Sequence, residues 1–250
     1  LATDQEVLGS NPSRRTNFMK NIKSISIIFP LYKDRSTVRE MIMKSNKVLK
    51  KLKVKSEIII VDDGCPQKSG YYAKEISKKM KSCKVIFHKK NMGYGAAIKT
   101  GLKNCNYEWI FQTDGDAEYD VDDLIKLIKK SKGSDLVVTY RLKKKYKTSR
   151  IVISWIYNVI LRLLFHTPFR DISTGSRLIK KSLLKKINLI SNSPFLGAEL
   201  AIKSKYKGLK VSEVGIHTYP RTFGTGSSVS FKNILLTIKE MLELFVKIRI

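Results

Sequence analysis

The feature that most narrows the fold is an alternation of short apolar runs with helical segments. "SISIIF" (24–29), "EIIIVDD" (57–63), "KVIFH" (84–88), "EWIFQT" (108–113) and "DLVVTY" (135–140) read as strands. Helical stretches fill about 36–53, 70–81, 95–103 and 121–132 between them. Strands separated by helices favour crossover pairing, so the pattern predicts an α/β, doubly wound, mostly parallel sheet flanked by helices. Such sheets bind ligands beyond the carboxyl ends of their strands.

Polar residues concentrate at those ends. Pro30, Leu31, Tyr32, Lys33 and Asp34 close the first strand, and Asp62, Asp63 and Gly64 the second. Asn91, Met92, Gly93, Tyr94 and Gly95 follow the third, and Asp114, Gly115 and Asp116 follow the fourth. Alone, Asp-x-Asp is common in loops and Asp-Asp-Gly reads as a turn. Four such placements on one rim carry more weight than any one of them.

The acids stand out because the chain is basic, with 49 Lys and Arg against 21 Asp and Glu, a net charge of +28. Yet Glu108, Asp114, Asp116, Glu118 and Asp120 crowd into one short stretch. Mg²⁺ and Mn²⁺ prefer oxygen ligands and bind through a few carboxylates plus substrate phosphates. Asp114, Asp116 and Glu118 are therefore candidate metal ligands, and a cation there would hold an anionic diphosphate. The other rim residues suit a nucleotide. Asp62 can accept from a base or ribose, Tyr32 offers a flat face and a hydroxyl, and Gly93 and Gly95 permit close backbone approach before a helix N-terminus. The basic balance has further readings: a compositional bias toward Lys, nucleic acid, or an anionic membrane surface.

The cysteines Cys65, Cys83 and Cys105 form no CxxC pattern, which fits a reducing compartment. His88, His166 and His217 lack metal-ligand spacing and are expected to be structural. No signal-type apolar segment and no run of about 18 uncharged apolar residues is visible, so no spanning helix is expected.

Beyond residue 140 the pattern changes. "RLKKKYKTSR" (141–150) is basic without an acid, and reads as a solvated loop, a lipid-phosphate attractor or a cover for the donor. "IVISWIYNVILRLLF" (151–165) is an apolar helix too short to span a bilayer, which suits either the core or a membrane interface. "FKNILLTIKEMLELFVKIRI" closes the sequence with one broad apolar face and four basic residues. The expected organisation is a flexible arm over 1–22, a catalytic domain over 23–230 and an amphipathic helix over 231–250. The domain divides into a nucleotide-binding half (about 23–140) and an acceptor half (about 141–230).

Together these residues resemble the inverting, GT-A-fold glycosyltransferases of family 2, most closely the polyprenyl-phosphate, dolichyl-phosphate mannosyltransferase-like branch. The resemblance runs from about Ser24 to Ser228. Pro30, Tyr32 and Asp34 stand where the family shows Pro-x-Tyr-Asn-Glu, with Lys33 and Asp34 as departures. "IIIVDDG" matches the nucleoside-contacting second strand, "NMGYGAAI" the Asn-x-Gly-x-Gly-x-Ala segment, and "TDGDAEY" the metal site, where Glu118 replaces the usual Gln. "VVTYR" matches a Gly-x-Arg strand end with Thr139 in place of glycine. "RDISTGSRLIKK" resembles the acceptor segment Asp-x-x-x-Gly-Phe-Arg with Ser176 in place of the aromatic residue. "GAEL" supplies Glu199 in a helix, and "YPRTFGTGSS" supplies Arg221 but lacks the lysine that often follows the serine.

The resemblance implies roles. Asp116, Arg141 and Arg221 are catalytic candidates. Pro30, Tyr32, Asp34, Asp62, Asp63, Asn91, Gly93 and Asp114 are nucleotide-binding candidates. Asp171, Gly175, Arg177 and Glu199 are acceptor candidates. The cofactor would be Mg²⁺ or Mn²⁺, the donor a UDP- or GDP-sugar, and the acceptor a lipid phosphate at an anionic membrane surface. The enzyme would be cytoplasmic and peripheral at the inner face of a membrane, without a nucleic-acid partner. The alternative acceptor is a glycan hydroxyl, which needs a base such as Asp171 or Glu199.

Other classes fit less well. A sugar-1-phosphate nucleotidyltransferase needs a Gly-rich loop after the first strand, and "FPLYKDRS" has no glycine. A dehalogenase-type phosphatase places Asp-x-Asp after its first strand. A dehydrogenase wants Gly-x-Gly-x-x-Gly there, but "GYGAAI" follows the third. A nucleic-acid-binding protein explains the charge but not the acidic rim. A processive synthase would carry Gln-x-x-Arg-Trp and spanning helices.

Overall fold

The structure is a computed structural model that describes residues 22–142, 148–220 and 231–249. In these residues, strands β1 (Ser24–Leu31), β2 (Lys55–Asp62), β3 (Cys83–Phe87), β4 (Trp109–Gln112), β5 (Leu136–Arg141), β6 (Arg177–Lys180) and β7 (Val211–Ile216) form one sheet. Its order is β3-β2-β1-β4-β6-β5-β7. The helices are α1 (Val38–Leu52), α2 (Ser69–Ser77), α3 (Tyr94–Asn104), α4 (Leu124–Lys130), α5 (Thr148–Phe165), α6 (Leu196–Tyr206) and α7 (Phe231–Arg249).

The five strands expected from the sequence are β1–β5. Their pairings β1–β2, β2–β3 and β1–β4 are parallel. β1 is apolar along nearly its whole length because both its faces are covered. Ile25, Ile27 and Phe29 pack with Met41, Ile42 and Leu49 of α1 and Leu124, Leu127 and Ile128 of α4. Ile28 points the other way, into a second cluster with Ala97 and Ile98 of α3, Leu161 and Phe165 of α5, α6, and Met241 and Leu244 of α7. Strand alternation thus sorts one sequence into two cores. Truncating a fully buried ring such as Phe29 to Ala would cost about 3–5 kcal/mol.

Two strands depart from the simple alternation. β6 pairs antiparallel with both β4 and β5, and β7 extends the sheet parallel to β5. The expected helix over 121–132 is a short 3₁₀ turn, Val121–Asp123, followed by α4. The expected arm over 1–22 lies almost wholly outside the described residues.

Candidate active site

β1 and β4 lie side by side at the centre of the sheet, and the crossovers leave them in opposite directions. The crevice beyond their carboxyl ends is where such sheets seat ligands. Thr113 N donates to Ile28 O (3.0 Å) and keeps the strands in register up to the acidic loop. Thr37 Oγ1 donates to Gly115 O (2.7 Å), tying the loop after β1 to that same loop.

Asp114 is half-buried at the crevice. The Tyr94 hydroxyl, from the first turn of α3, donates to Asp114 Oδ1 (2.7 Å). Gln112 Nε2 donates in turn to the Tyr94 hydroxyl (3.2 Å). Burial pushes the Tyr94 pKa well up and Asp114 adds to this, with the Arg177 guanidinium opposing. The hydroxyl therefore stays protonated and remains a donor. Gly175 lies against the Asp114 carboxylate so closely that a Cβ there would collide with it. Only glycine permits this approach of the segment 171–176 to the acidic loop.

Asp116 is buried, and its Oδ1 accepts from Glu118 N (3.0 Å). Ala117 has φ 59°, a left-handed conformation costly for a residue with a Cβ. It breaks the extended run in which alternate side chains would share one face. Glu118 is buried, its carbonyl accepts from Tyr219 N (3.0 Å), and Tyr119 bridges to Thr218. Among the described residues no three His, Cys, Asp or Glu side chains gather to hold a metal ion. The expected three-carboxylate set of Asp114, Asp116 and Glu118 is therefore not assembled by the chain alone. The donor chemistry still fits a hard cation that takes one or two aspartates and completes its shell with phosphate oxygens.

The residues expected to bind the nucleotide are brought to one side of the crevice, but several are occupied in shaping it. Asp62 is buried and accepts from Cys65 N (2.7 Å) and Gly70 N (2.5 Å), closing the turn into α2. Asp63 accepts from Met92 N (2.8 Å), Gly93 N (2.9 Å) and the His88 ring (2.7 Å). His88 also bonds Thr100 (2.9 Å), the structural role expected of it. Asp34 Oδ2 accepts from Tyr32 N (3.1 Å). Pro30 and Tyr32 are half-buried and Asn91 is exposed at the edge.

At the end of β5, Arg141 forms a bidentate pair with Asp171, Nε to Oδ2 2.7 Å and Nη2 to Oδ1 3.0 Å. Burial works against the Arg141 charge, but Asp171 outweighs it and holds the pKa above its ordinary value. Ser154 and Asn158 of α5 bond the same pair. Neither was found in the sequence, although two polar residues four apart on an apolar helix are a usable signal. Tyr94, placed on the rim from sequence, and Gln112 were assigned no role there.

Two further acceptor candidates are buried. Arg177 is 3% exposed, packs beside Gly197, and donates from Nη2 to Thr174 O. It stands at the start of β6, level with Gln112. Glu199 is fully buried and accepts from Ile190 N (3.0 Å), Ser191 N (2.9 Å) and Lys203 Nζ (2.5 Å). These bonds make it a clamp on the loop before α6. Arg221 lies outside the described residues.

A family model described as "Glycosyl transferase family 2" matches residues 26–188. The chain belongs to glycosyl transferase family 2. This family 2 chain is 23% identical over 217 residues to an undecaprenyl-phosphate 4-deoxy-4-formamido-L-arabinose transferase of Salmonella choleraesuis. That match covers 86% of the chain but 65% of the transferase's own length. It is 28% identical over 217 residues to an uncharacterized protein of Methanocaldococcus jannaschii, covering 81% of the chain and 92% of that protein. Among solved structures it resembles the Mycobacterium tuberculosis glucosyl-3-phosphoglycerate synthase bound to Mn²⁺, UDP and glucosyl-3-phosphoglycerate. The TM-score is 0.73 at 13% identity, over 97% of this chain and 86% of that one. The glycosyltransferase thus has the GT-A fold, with a mostly parallel sheet and a C-terminal helix.

Proposed function

We propose that this glycosyltransferase moves a sugar, with inversion, from a UDP- or GDP-sugar to a polyprenyl phosphate at a membrane surface. One observation carries the lipid acceptor. The inner face of α5 bonds the Arg141–Asp171 pair through Ser154 and Asn158. Its outer face exposes Val152, Ile153, Trp155, Ile156, Ile160 and Leu163. α7 exposes a second stripe through Phe231, Leu235, Ile238, Leu242 and Val246. Uncharged stripes flanked by Lys239, Lys247 and Arg249 suit a helix lying in an anionic lipid interface. No helix among the described residues is long and apolar enough to cross a membrane.

The carboxylates support the same acceptor. A hydroxyl needs a general base, but Asp171 is bound to Arg141, Asn158 and Ser173, and Glu199 to its loop and Lys203. A phosphate monoester, with a second pKa of about 6, is already largely ionised at pH 7 and needs none. The undecaprenyl-phosphate relative supports this choice as well.

On the donor side, Asp116, with Asp114, would hold Mg²⁺ or Mn²⁺, which would offset negative charge on the departing diphosphate. The Mn²⁺–UDP complexes of the structural neighbour support a divalent ion. Tyr94 orients Asp114 by its hydroxyl, and Gly175 keeps the acceptor segment in van der Waals reach of it. Arg141 lies 5% exposed beside Asp171, close enough to the rim to place positive charge near transferring oxygens.

The test incubates the purified chain with polyprenyl phosphate in anionic vesicles and radiolabelled UDP- and GDP-sugars. Label in the lipid fraction is the expected result. Label in a soluble glycan instead would establish the hydroxyl acceptor and remove the lipid one.

A further inference from the structure

The segment between β6 and α6 is held by two glutamates on two helices. Backbone N–H groups of Ile190 and Ser191 donate to Glu199 of α6. Those of Asn192 and Ser193 donate to Glu240 of α7, at 2.8 and 3.3 Å. The Ser193 hydroxyl adds a bond to Glu240 Oε2 (2.5 Å), and Lys99 Nζ of α3 reaches Ile190 O (2.9 Å). Four successive N–H groups are thus assigned to two carboxylates. Charge-assisted bonds of this kind are about twice as strong as neutral ones.

What this segment presses on is the glycine turn of the donor side. Asn192 O accepts from Gly95 N (2.8 Å). A Cβ on Gly93 would stand 2.9 Å from Asn192 O, and one on Gly95 2.7 Å from Asn192 C, so the two backbones are in direct contact. From its other side the turn is held by Asp63, through Met92 N and Gly93 N. The turn is therefore set between Asp63 and Asn192, and the position of Asn192 is set by Glu240. Glu240 occupies the inner face of α7, opposite the exposed stripe of Leu235, Ile238 and Leu242.

We propose that Glu240 is a positioning residue for donor binding. By holding residues 192–193 against Gly93 and Gly95, it makes the seating of α7 and the closure of the nucleotide side of the crevice a single event. The inference rests on the donor-site reading above. It adds a role for a residue far from the crevice in sequence, and a route by which a lipid surface under α7 tightens the hold on the nucleotide.

The experiment is calorimetric titration of the full chain with UDP and with GDP in Mn²⁺ buffer, for the wild type, Glu240→Gln, Ser193→Ala and Glu243→Gln. Glu243 is exposed on the same helix and touches none of these residues, so it controls for charge. Glu240→Gln is expected to weaken nucleotide binding about tenfold, within the usual range of coupling between sites. Ser193→Ala removes the hydroxyl bond to Glu240 with those accepted from Phe195 N and Thr237 Oγ1 but leaves the Glu240 carboxylate in place, is expected to weaken binding about threefold, and keeps the test open should Glu240→Gln fail to fold. Glu243→Gln should bind as the wild type does. In transfer assays the donor KM of Glu240→Gln should rise while kcat at saturating donor stays within about twofold. Equal nucleotide affinity in wild type and Glu240→Gln overturns the proposal while leaving the donor site intact. So does a fall in kcat with KM unmoved, the mark of a merely structural role. Failure of the wild type to bind either nucleotide removes the donor-site reading itself, and this inference with it.

Discussion

Arg141 Nε lies 2.7 Å from Asp171 Oδ2, and both side chains are 5% exposed. The pair joins the end of β5 to the segment before β6, and Ser154 and Asn158 join it to α5. Breaking such a pair from one side leaves a buried charge without its counter-ion. Asp171→Asn is therefore expected to lower unfolding free energy by about 3 kcal/mol, read from urea denaturation. Arg141→Lys should also lose transfer activity, because an ammonium cannot make the two-pronged contact. A fully active Arg141→Lys enzyme would contradict this.

Asp116→Asn keeps the shape of the acidic loop, since an amide oxygen can still accept from Glu118 N. It removes the charge a divalent ion needs. Transfer should fall by about a hundredfold or more while the thermal midpoint stays near that of the wild type. Adding Mn²⁺ should raise the melting temperature of the wild type in the presence of nucleotide, and not that of the variant.

Gly175→Ala puts a methyl group into the Asp114 carboxylate. Either the carboxylate leaves Tyr94 or the acceptor segment backs away. Overpacking of this kind costs about 1–3 kcal/mol. Transfer should drop by more than tenfold, a loss of the size expected from misplacing reacting groups. Near wild-type kinetics would show that the two segments need not touch.

Glu199 supplies a pH dependence. Burial alone would raise its pKa, but Lys203 and the N–H groups of Ile190 and Ser191 outweigh it and hold it below the ordinary 4.5. A carboxyl with a depressed folded pKa stabilises fully above its unfolded pKa, and that contribution drains away as pH falls through the folded value. Stability should therefore hold down to roughly pH 4.5 and fall below it. Glu199→Gln should be less stable at neutral pH and show a shallower decline in acid. Parallel curves for the two proteins would deny the clamp its electrostatic part.

The two tryptophans report on the lipid surface separately. Trp109 is 4% exposed in β4 and Trp155 is 61% exposed on α5. Anionic vesicles should shift the emission of Trp155 to the blue and leave Trp109 unmoved, which Trp155→Phe isolates. Leu163→Glu should weaken vesicle binding by about 2 kcal/mol or more, the scale of placing a charge on a lipid-facing surface. Emission indifferent to vesicles would detach α5 from the membrane.

Much of the central fold could be read from local pattern, because β1, β4 and the second half of β2 are buried on both faces and are mostly apolar there. Their ends were legible for the same reason: polar residues there have no core to enter. β6 was not legible as a strand, since "RLIK" is four residues long and opens on a buried arginine. β7 was hidden because its residues are almost all half-buried. The site was read by residue type and lost detail where a carboxylate had two plausible uses. Asp62, Asp63 and Glu199 all look like ligand contacts in sequence, yet each is spent on backbone N–H groups. That distinction depends on which loops fold back over them, as Cys65–Gly70, Met92–Gly93 and Ile190–Ser191 do. Tyr94 was visible within the glycine turn, but its bond to Asp114 spans twenty residues of chain.

β6 runs against its neighbours, and this fixes where the segment before it emerges. A strand parallel to β4 would bring its last residue to the crevice. The reversed strand brings its first, Arg177, level with Gln112. The stretch leading into it therefore emerges about 4.8 Å from the strand that delivers the acidic loop, one strand spacing away. The segment 171–176 and the acidic loop therefore rise from neighbouring strands of one sheet, and Gly175 meets Asp114 between them.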